Sequence, residues 1–175
     1  MECLWNELTG GIPDASHLTR IIVRFIAAIL LGGVVGLERE HMGKPAGLRT
    51  HILVCLGTVV FILACSESEF SADGISRVIQ GILAGIGFIG AGSILKTSEK
   101  QDAHVHGLTT AASIWMTAAI GVAIGLGRLG VALLSTFLIM IILTLARKLE
   151  HRRSEMELEQ NMGRNGLDPT KSRNS

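Results

Sequence analysis

Three arginines lie within long apolar runs of this sequence, where a charged side chain is costly unless it has a specific role. Arg24 is about six residues into the run that begins at Leu18, Arg20 lies one helical turn earlier, and Arg77 lies at the start of a later run. Such a charge either belongs to a functional polar site or anchors a helix by reaching a polar surface. We expect Arg20 and Arg77 to be anchors, and both interpretations stay open for Arg24.

A second group of charges flanks the segment 38–49, which separates the first two apolar runs. Glu38 and Arg39 follow the first run, and Arg49 precedes the second. If the segment folds back on itself, Glu38 and Arg49 can form a charge-assisted pair. The alternative is that these charges only mark the polar ends of two helices.

Acidic side chains are absent from the apolar runs, so the sequence offers no carboxylate site there for Mg²⁺, which prefers oxygen ligands. His104 and His106 form a His-x-His pattern of poor metal specificity, and we interpret both as solvated. No Walker-type loop is present. We therefore predict no catalytic residue, no metal site and no cofactor. We also predict no enzyme, since an enzyme would need a nucleophile and a base that converge near the inner surface, for instance Ser93 with His51 or His106.

Hydroxyl groups supply most of the remaining polarity in the runs. They can line an ion path together with exposed carbonyls, or they can bond the carbonyls of their own helices. The sequence alone does not choose between these for Thr58, Ser93, Thr109, Thr110, Ser113 and Thr117.

Small residues recur at helical spacing in three of the runs. In lipid, such faces let helix backbones approach closely, so the spacing predicts a compact bundle. The third run, with four glycines in eight residues, can instead kink or expose carbonyls to a partner or an ion. The positions are Ala28, Gly32 and Gly36; Gly81, Gly85, Gly87, Gly90 and Gly92; and Gly121 and Gly125.

Five runs are long enough to cross a bilayer, which takes roughly 20 apolar residues. The chain has 175 residues, 48% of them hydrophobic and 18% charged. We predict an all-α membrane protein with spans at 18–37, 50–66, 75–95, 108–127 and 129–146. An external segment 1–17 precedes this membrane domain (18–146), and a charged helix with a disordered tail (147–175) follows it.

The lysines and arginines predict the orientation of these spans. Twelve of the 16 lie in the segments 38–49 and 96–107 or after residue 146, whereas the opposite side has only Arg128 and an acidic linker. Basic segments stay in the cytoplasm. We therefore expect the N-terminus outside and the C-terminus in the cytoplasm.

Four ordered motifs between residues 32 and 127 resemble the MgtC/SapB family of bacterial inner-membrane proteins. They are GGVVGLERE (32–40), PAGLRTHILVCLG (45–57), GIGFIGAGSIL (85–95) and VHGLTTAASIWMTAAIGVAIGLG (105–127). The positions that match the family motifs are Glu38, Arg39, Gly47, Leu48, Arg49, Thr50, Gly85, Gly87, Phe88, Gly90, Ala91, Gly92, Gly107, Leu108, Thr109, Thr110, Ala111, Ala112 and Trp115, and Arg77 falls at the usual distance before GIGF.

The resemblance implies five spans with an external N-terminus and a role in growth at low magnesium. Many members also carry an ACT-like cytoplasmic domain after the last span. Because only 29 residues follow Ala146, too few for an independent core, we expect a short form without that domain. Many members also have asparagine where this chain has His51.

The function implied by the resemblance has two alternatives. One is a non-catalytic regulator in magnesium homeostasis or acid-stress adaptation, which binds another membrane protein, with the rotary ATP synthase implied as a partner, or associates with itself. The other is a transporter of Mg²⁺ or another ion. Mg²⁺ would be the sensed ion in the first and the transported ion in the second.

Overall fold

A computed structural model describes residues 15–67, 72–99 and 102–164. Five helices and one hairpin follow each other along the chain. They are α1 (Ala15–His41), α2 (Leu48–Glu67), α3 (Ala72–Gly92), β1 (Leu95–Glu99), β2 (Asp102–His106), α4 (Leu108–Gly125) and α5 (Leu129–Arg164).

All five predicted spans correspond to helices, and each helix is long and apolar enough to cross a membrane. The helix α1 extends beyond the predicted 18–37 at both ends, because its polar terminal residues continue the helix. The helix α5 continues past residue 146 as far as Arg164. Residues 1–14 of the predicted external segment 1–17, and residues 165–175 of the predicted segment 147–175, lie outside the described residues.

The segment between α3 and α4 forms a hairpin that was not predicted from the sequence. The helix α3 ends at Gly92, and β1 and β2 then pair antiparallel, with Leu95 opposite His106 and Glu99 opposite Asp102. Polar residues rather than an alternating apolar pattern fill this stretch, so the sequence carried little strand signal.

Among the described residues, those up to Ile139 form one compact unit, and those from Met140 form a second. Within the first unit, α2 packs most extensively against α1 and α4. The helix α4 also contacts α1 and α3, whereas the contact between α2 and α3 is smaller. The core side chains of this unit include Val35, Cys55, Ile62, Ile114 and Ile124.

Two glycines with positive φ fix the ends of α4. Gly107 precedes the helix with φ of 97°, and a Cβ there would collide with the carbonyl oxygen of Ser93. Gly127 follows the helix with φ of 75°, and the backbone N–H groups of Gly127 and Arg128 donate to Ile124 and Ala123. These bonds form the Schellman motif, in which a left-handed glycine ends a helix.

Candidate functional site

Arg39 is buried near the end of α1, and its guanidinium reaches α4. Only 1% of Arg39 is exposed, and its Nη2 donates a hydrogen bond to Thr110 Oγ1 at 2.9 Å. Thr110 is buried at the start of α4. A hydrogen bond from a charged donor is among the stronger ones in proteins, so this contact ties α1 to α4.

His51 is fully buried in the first turn of α2 and contacts a second hydroxyl of α4. Its Nδ1 lies 2.9 Å from the carbonyl oxygen of Gly47, and its Nε2 lies 3.3 Å from Ser113 Oγ. The Ser113 hydroxyl is also 2.8 Å from the carbonyl oxygen of Thr110, to which it donates. We call Arg39, His51, Thr110 and Ser113 the polar cluster.

Glycines of α1 allow α2 to come close enough to form this cluster. A Cβ on Gly36 would lie 2.6 Å from Leu48 Cα and 3.1 Å from His51 Cβ. A Cβ on Gly32 would lie 2.9 Å from Cys55 Cβ. Real Cβ atoms do not approach other atoms so closely, so α1 and α2 meet at backbone distance only because these positions lack side chains.

Glu40 joins the end of α1 to the beginning of α2. The backbone N–H of Leu48 donates to Glu40 Oε2 at 2.9 Å, and the same oxygen lies 2.9 Å from where a Cβ on Gly47 would be. A carboxylate at a helix N-terminus satisfies an N–H group and complements the helix dipole. Glu38 is half-buried and Arg49 is exposed, and a pair between them stays a prediction.

Arg24 of α1 contacts the C-terminal end of α4, opposite the end that Arg39 contacts. Its Nη1 donates to the carbonyl oxygen of Gly125 at 3.0 Å, and its Nη2 lies 2.8 Å from where a Cβ on Gly127 would be. The last carbonyls of a helix lack partners within the helix and carry partial negative charge. The geometry therefore gives Arg24 a structural contact at the C-terminus of α4, which favours the anchoring interpretation.

Most of the buried hydroxyls are bonded to their own helices. Thr58, Ser113, Thr117 and Thr136 each donate to a carbonyl three or four residues earlier, at 2.8 to 2.9 Å. Ser93, which is half-buried, donates to Gly90 in the same way at 2.7 Å. Over the described parts of the chain, no group of three or more His, Cys, Asp or Glu side chains is placed to hold a metal ion.

The small faces of α4 and α3 have different surroundings. On α4, a Cβ on Gly121 would lie 2.7 Å from the carbonyl oxygen of Cys55, and one on Gly125 would lie 2.6 Å from Ile62 Cβ. On α3, a Cβ on Gly90 would lie 3.5 Å from Ala111 Cβ, which is an ordinary van der Waals contact. Four other α3 glycines have no described neighbour within 4 Å of an added Cβ: Gly81, Gly85, Gly87 and Gly92.

An apolar groove of about 640 Å³ lies between α2 and α3. Gly81, Gly85 and Ile89 line it from α3, and Gly57 and Phe61 line it from α2. The groove follows the face that the α3 glycines leave open.

The remaining sequence-predicted residues lie on the surface or outside the described side chains. Glu38 is half-buried, and five others are exposed: Arg20, Arg49, Arg77, Thr109 and Trp115. Phe88 is 83% exposed. His104 and His106 belong to β2, and their side chains lie outside the described set.

Two contacts of this site were not predicted from the sequence. His51 was considered with Ser93, whereas the structure places it against Ser113. Glu40, which accepts from the N–H of Leu48, was given no role. The position of Ser113 one turn after Thr110 placed both hydroxyls on one face of α4, but nothing in the local pattern identified the helix that this face contacts.

Comparisons with known proteins assign the chain to a family. The model of the MgtC family matches residues 25–152. Protein SrpB of Synechococcus elongatus is 43% identical over 136 residues, with 73% of this chain and 75% of SrpB covered. Protein MgtC of Salmonella typhimurium is 40% identical over 137 residues, with 78% of this chain and 57% of MgtC covered.

A further relative is the Escherichia coli protein named "Putative magnesium transporter YhiD", which is 37% identical over 138 residues, with 75% of this chain and 62% of YhiD covered. The chain therefore spans about three fifths of the length of MgtC and YhiD. No solved structure matches it. Together with five apolar helices of spanning length, the matched region shows that this chain is a multi-pass bacterial membrane protein and belongs to the MgtC family.

Proposed function

We propose that this protein serves magnesium homeostasis, in adaptation to low magnesium or to acid stress, as a non-catalytic regulator that contacts another membrane protein. The observation that carries the proposal is the open glycine face of α3. The small faces of α1 and α4 are filled by α2, whereas Gly81 and Gly85 border a groove with no described side chain against them. Small faces in membrane helices are contact faces.

The polar side chains in the unit that ends at Ile139 support a regulator rather than an ion transporter. Three buried hydroxyls of α2 and α4, those of Thr58, Ser113 and Thr117, already donate to carbonyls of their own helices. The charge in the polar cluster is the guanidinium of Arg39, which repels a divalent cation. A path for Mg²⁺ would need oxygen atoms that face an open space.

The experiment that tests the regulator is crosslinking in native membranes. Replacing both Gly85 and Gly92 with leucine fills the open face, and we expect the loss of adducts to a partner while membrane insertion is unchanged. Gly130→Leu is the matched control, since Gly130 also has no neighbour within 4 Å but lies on α5. The ATP synthase is the first partner to test. Unchanged adducts in the double variant would contradict the proposal.

Transport of Mg²⁺ is the second candidate, and the name of the relative YhiD favours it. Purified protein in liposomes loaded with a magnesium-sensitive dye separates the two functions. The regulator proposal predicts no protein-dependent signal above that of empty liposomes. Magnesium flux with no other protein present would establish transport.

The location we propose is the bacterial inner membrane, with the N-terminus outside and the C-terminus in the cytoplasm. The asymmetric distribution of lysine and arginine supports this orientation. Reporter fusions test it directly. Alkaline phosphatase is active only outside the cytoplasm, so a C-terminal fusion should be inactive. An active fusion would contradict the proposed orientation.

A further inference from the structure

The five helical segments of spanning length contain a single amide side chain, that of Gln80 on α3. The helix α3 has 21 residues and begins at Ala72. At the rise of an α-helix, Gln80 lies about 12 Å along α3 from that first residue. Glutamine is shorter than the arginine and lysine side chains that reach a membrane surface from inside it. The amide of Gln80 therefore lies within the apolar part of the bilayer.

The side chain of Gln80 is exposed, and its amide has no hydrogen-bond partner among the described residues. The hydroxyls of Thr58 and Thr117 differ, because each donates to a carbonyl of its own helix. An amide has two N–H donors and a carbonyl acceptor, and lipid chains offer no partner for them. Polar side chains of membrane helices find such partners on neighbouring helices. The amide of Gln80 thus needs a polar partner from outside this copy of the chain.

Gln80 belongs to an exposed face of α3 that differs from the face bordering the groove. Ala84, Gly87 and Ala91 follow Gln80 at helical spacing, and all four residues are exposed. We call these four residues the Gln80 face. Gly85, which lines the groove, lies about 140° around the helix from Gln80. Because the three residues that follow Gln80 are small, a second helix can approach its amide closely.

The charged residues that precede Gln80 on α3 are compatible with an identical surface. Asp73 and Arg77 lie seven and three residues before Gln80, so they are on the same side of the helix, and both are exposed. Their charges are opposite, so this part of α3 has no net charge. Two copies of it therefore do not repel each other, and the arginine of each copy can reach towards the aspartate of the other.

We propose that two copies of this chain associate through the Gln80 face, with the two Gln80 amides hydrogen-bonded to each other inside the membrane. An amide both donates and accepts, so an identical amide is a complete partner for it. Membrane insertion gives every copy the same orientation, so a twofold axis along the membrane normal pairs the two faces as parallel helices. The two amides then lie at the same depth.

A second copy fits this surface better than a different membrane protein does. A different protein would need a polar group of its own at the depth of Gln80, whereas a second copy supplies that group by symmetry. The association also leaves the groove between α2 and α3 open, because Gly85 and the other groove residues of α3 lie on another side of the helix. It is therefore independent of the proposed regulator function.

Energy transfer between copies of the purified full chain in liposomes tests this association. Copies with a donor or an acceptor fluorophore at the C-terminus, mixed at decreasing protein-to-lipid ratios, give a dissociation constant. Gln80→Leu removes the amide at similar size, and we expect it to raise this constant about tenfold. Gln80→Asn keeps an amide and should associate more tightly than Gln80→Leu. Gly85→Leu is the matched control on the groove side of α3, and it should leave the constant unchanged.

Cysteine crosslinking gives a second readout, which does not depend on the folding of any Gln80 variant. In the same liposomes, oxidation of Ala84→Cys should form a covalent dimer above the background of the native chain. Leu133→Cys, at an exposed position of α5, should not. No energy transfer in the native protein, equal dissociation constants for the native protein and Gln80→Leu, or no Ala84→Cys dimer would overturn the inference. Only this chain is present, so failure of the proposed regulator function would leave these results unaffected.

Discussion

The helices α3 and α4 both have glycines at helical spacing, but their surroundings differ. Their most apolar windows have the same mean hydropathy of 1.5. Half of that window is buried in α4, compared with 11% in α3. Small residues at helical spacing therefore create a face that can pack closely. Whether another helix of the same chain packs against that face depends on the rest of the fold.

The difference is local and can be located at single glycines. Gly121 and Gly125 of α4 lie against Cys55 and Ile62 of α2, with no room for a side chain. Gly81 and Gly85 of α3 have room for one. The two helices should therefore respond in opposite ways to the same substitution.

The largest effect is expected at Gly121. In Gly121→Ala, the new methyl group would lie 2.7 Å from the carbonyl oxygen of Cys55 and 2.8 Å from Thr58 Cβ. Backbone cannot move away as a side-chain end can, so we expect a loss of about 1–3 kcal/mol in the free energy of unfolding. Chemical unfolding in detergent micelles measures it.

The control for that substitution is Gly85→Ala on α3. No described atom would contact the added methyl group, and alanine favours a helix over glycine by up to about 1 kcal/mol in water. We expect the free energy of unfolding to stay the same or to rise slightly. Equal losses at Gly121 and Gly85 would remove the distinction between the two helices.

The next largest loss of unfolding free energy is expected when the hydrogen bond from Arg39 of α1 to Thr110 of α4 is removed. In Arg39→Met, the Thr110 hydroxyl loses its charged donor. Removal of a hydrogen bond to a charged group is worth about 1.5–3 kcal/mol, and part of that is recovered because methionine is apolar. Arg49→Met is the matched control, since Arg49 is exposed. Equal unfolding curves for the two variants would contradict a stabilising role of the hydrogen bond between Arg39 and Thr110.

The smallest effect is expected at the other end of α4. In Arg24→Met, the carbonyl of Gly125 loses a cationic partner, and a charge at a helix C-terminus contributes about 0.3–1 kcal/mol. Hydrogen exchange of the last turn of α4 should accelerate. Arg20→Met, an exposed position one turn earlier, should leave that exchange unchanged, and the same acceleration in both variants would contradict the role of Arg24.

Much of the fold could be predicted from the sequence, because crossing a bilayer sets the length and polarity of a helix directly. Five helices of spanning length are confirmed, and their ends differ by a few residues from the prediction where polar residues continue a helix, as at His41. The hairpin between Leu95 and His106 was missed, because two short polar strands leave no periodic apolar signal.

The polar cluster was less predictable, since it depends on how helices distant in sequence meet. Arg39 and Thr110 were identified through motif resemblance, but nothing near Arg39 in the sequence indicates that it bonds a residue 71 positions later. The same applies to His51 and Ser113, which are 62 positions apart. Likewise, the glycine spacing alone did not reveal that the α3 face is open and the α4 face is filled.

In the function we propose, the chain itself fills the small face of α4, and another membrane protein contacts the open face of α3. Phe88 lies on the face of Gly85 and Gly92 and is 83% exposed, and Phe137 on α5 is 64% exposed. A photoreactive phenylalanine analogue at either position, irradiated in native membranes, tests the claim most directly. The account predicts a discrete protein adduct from position 88 and only lipid adducts from position 137. Lipid adducts alone from both positions would contradict it.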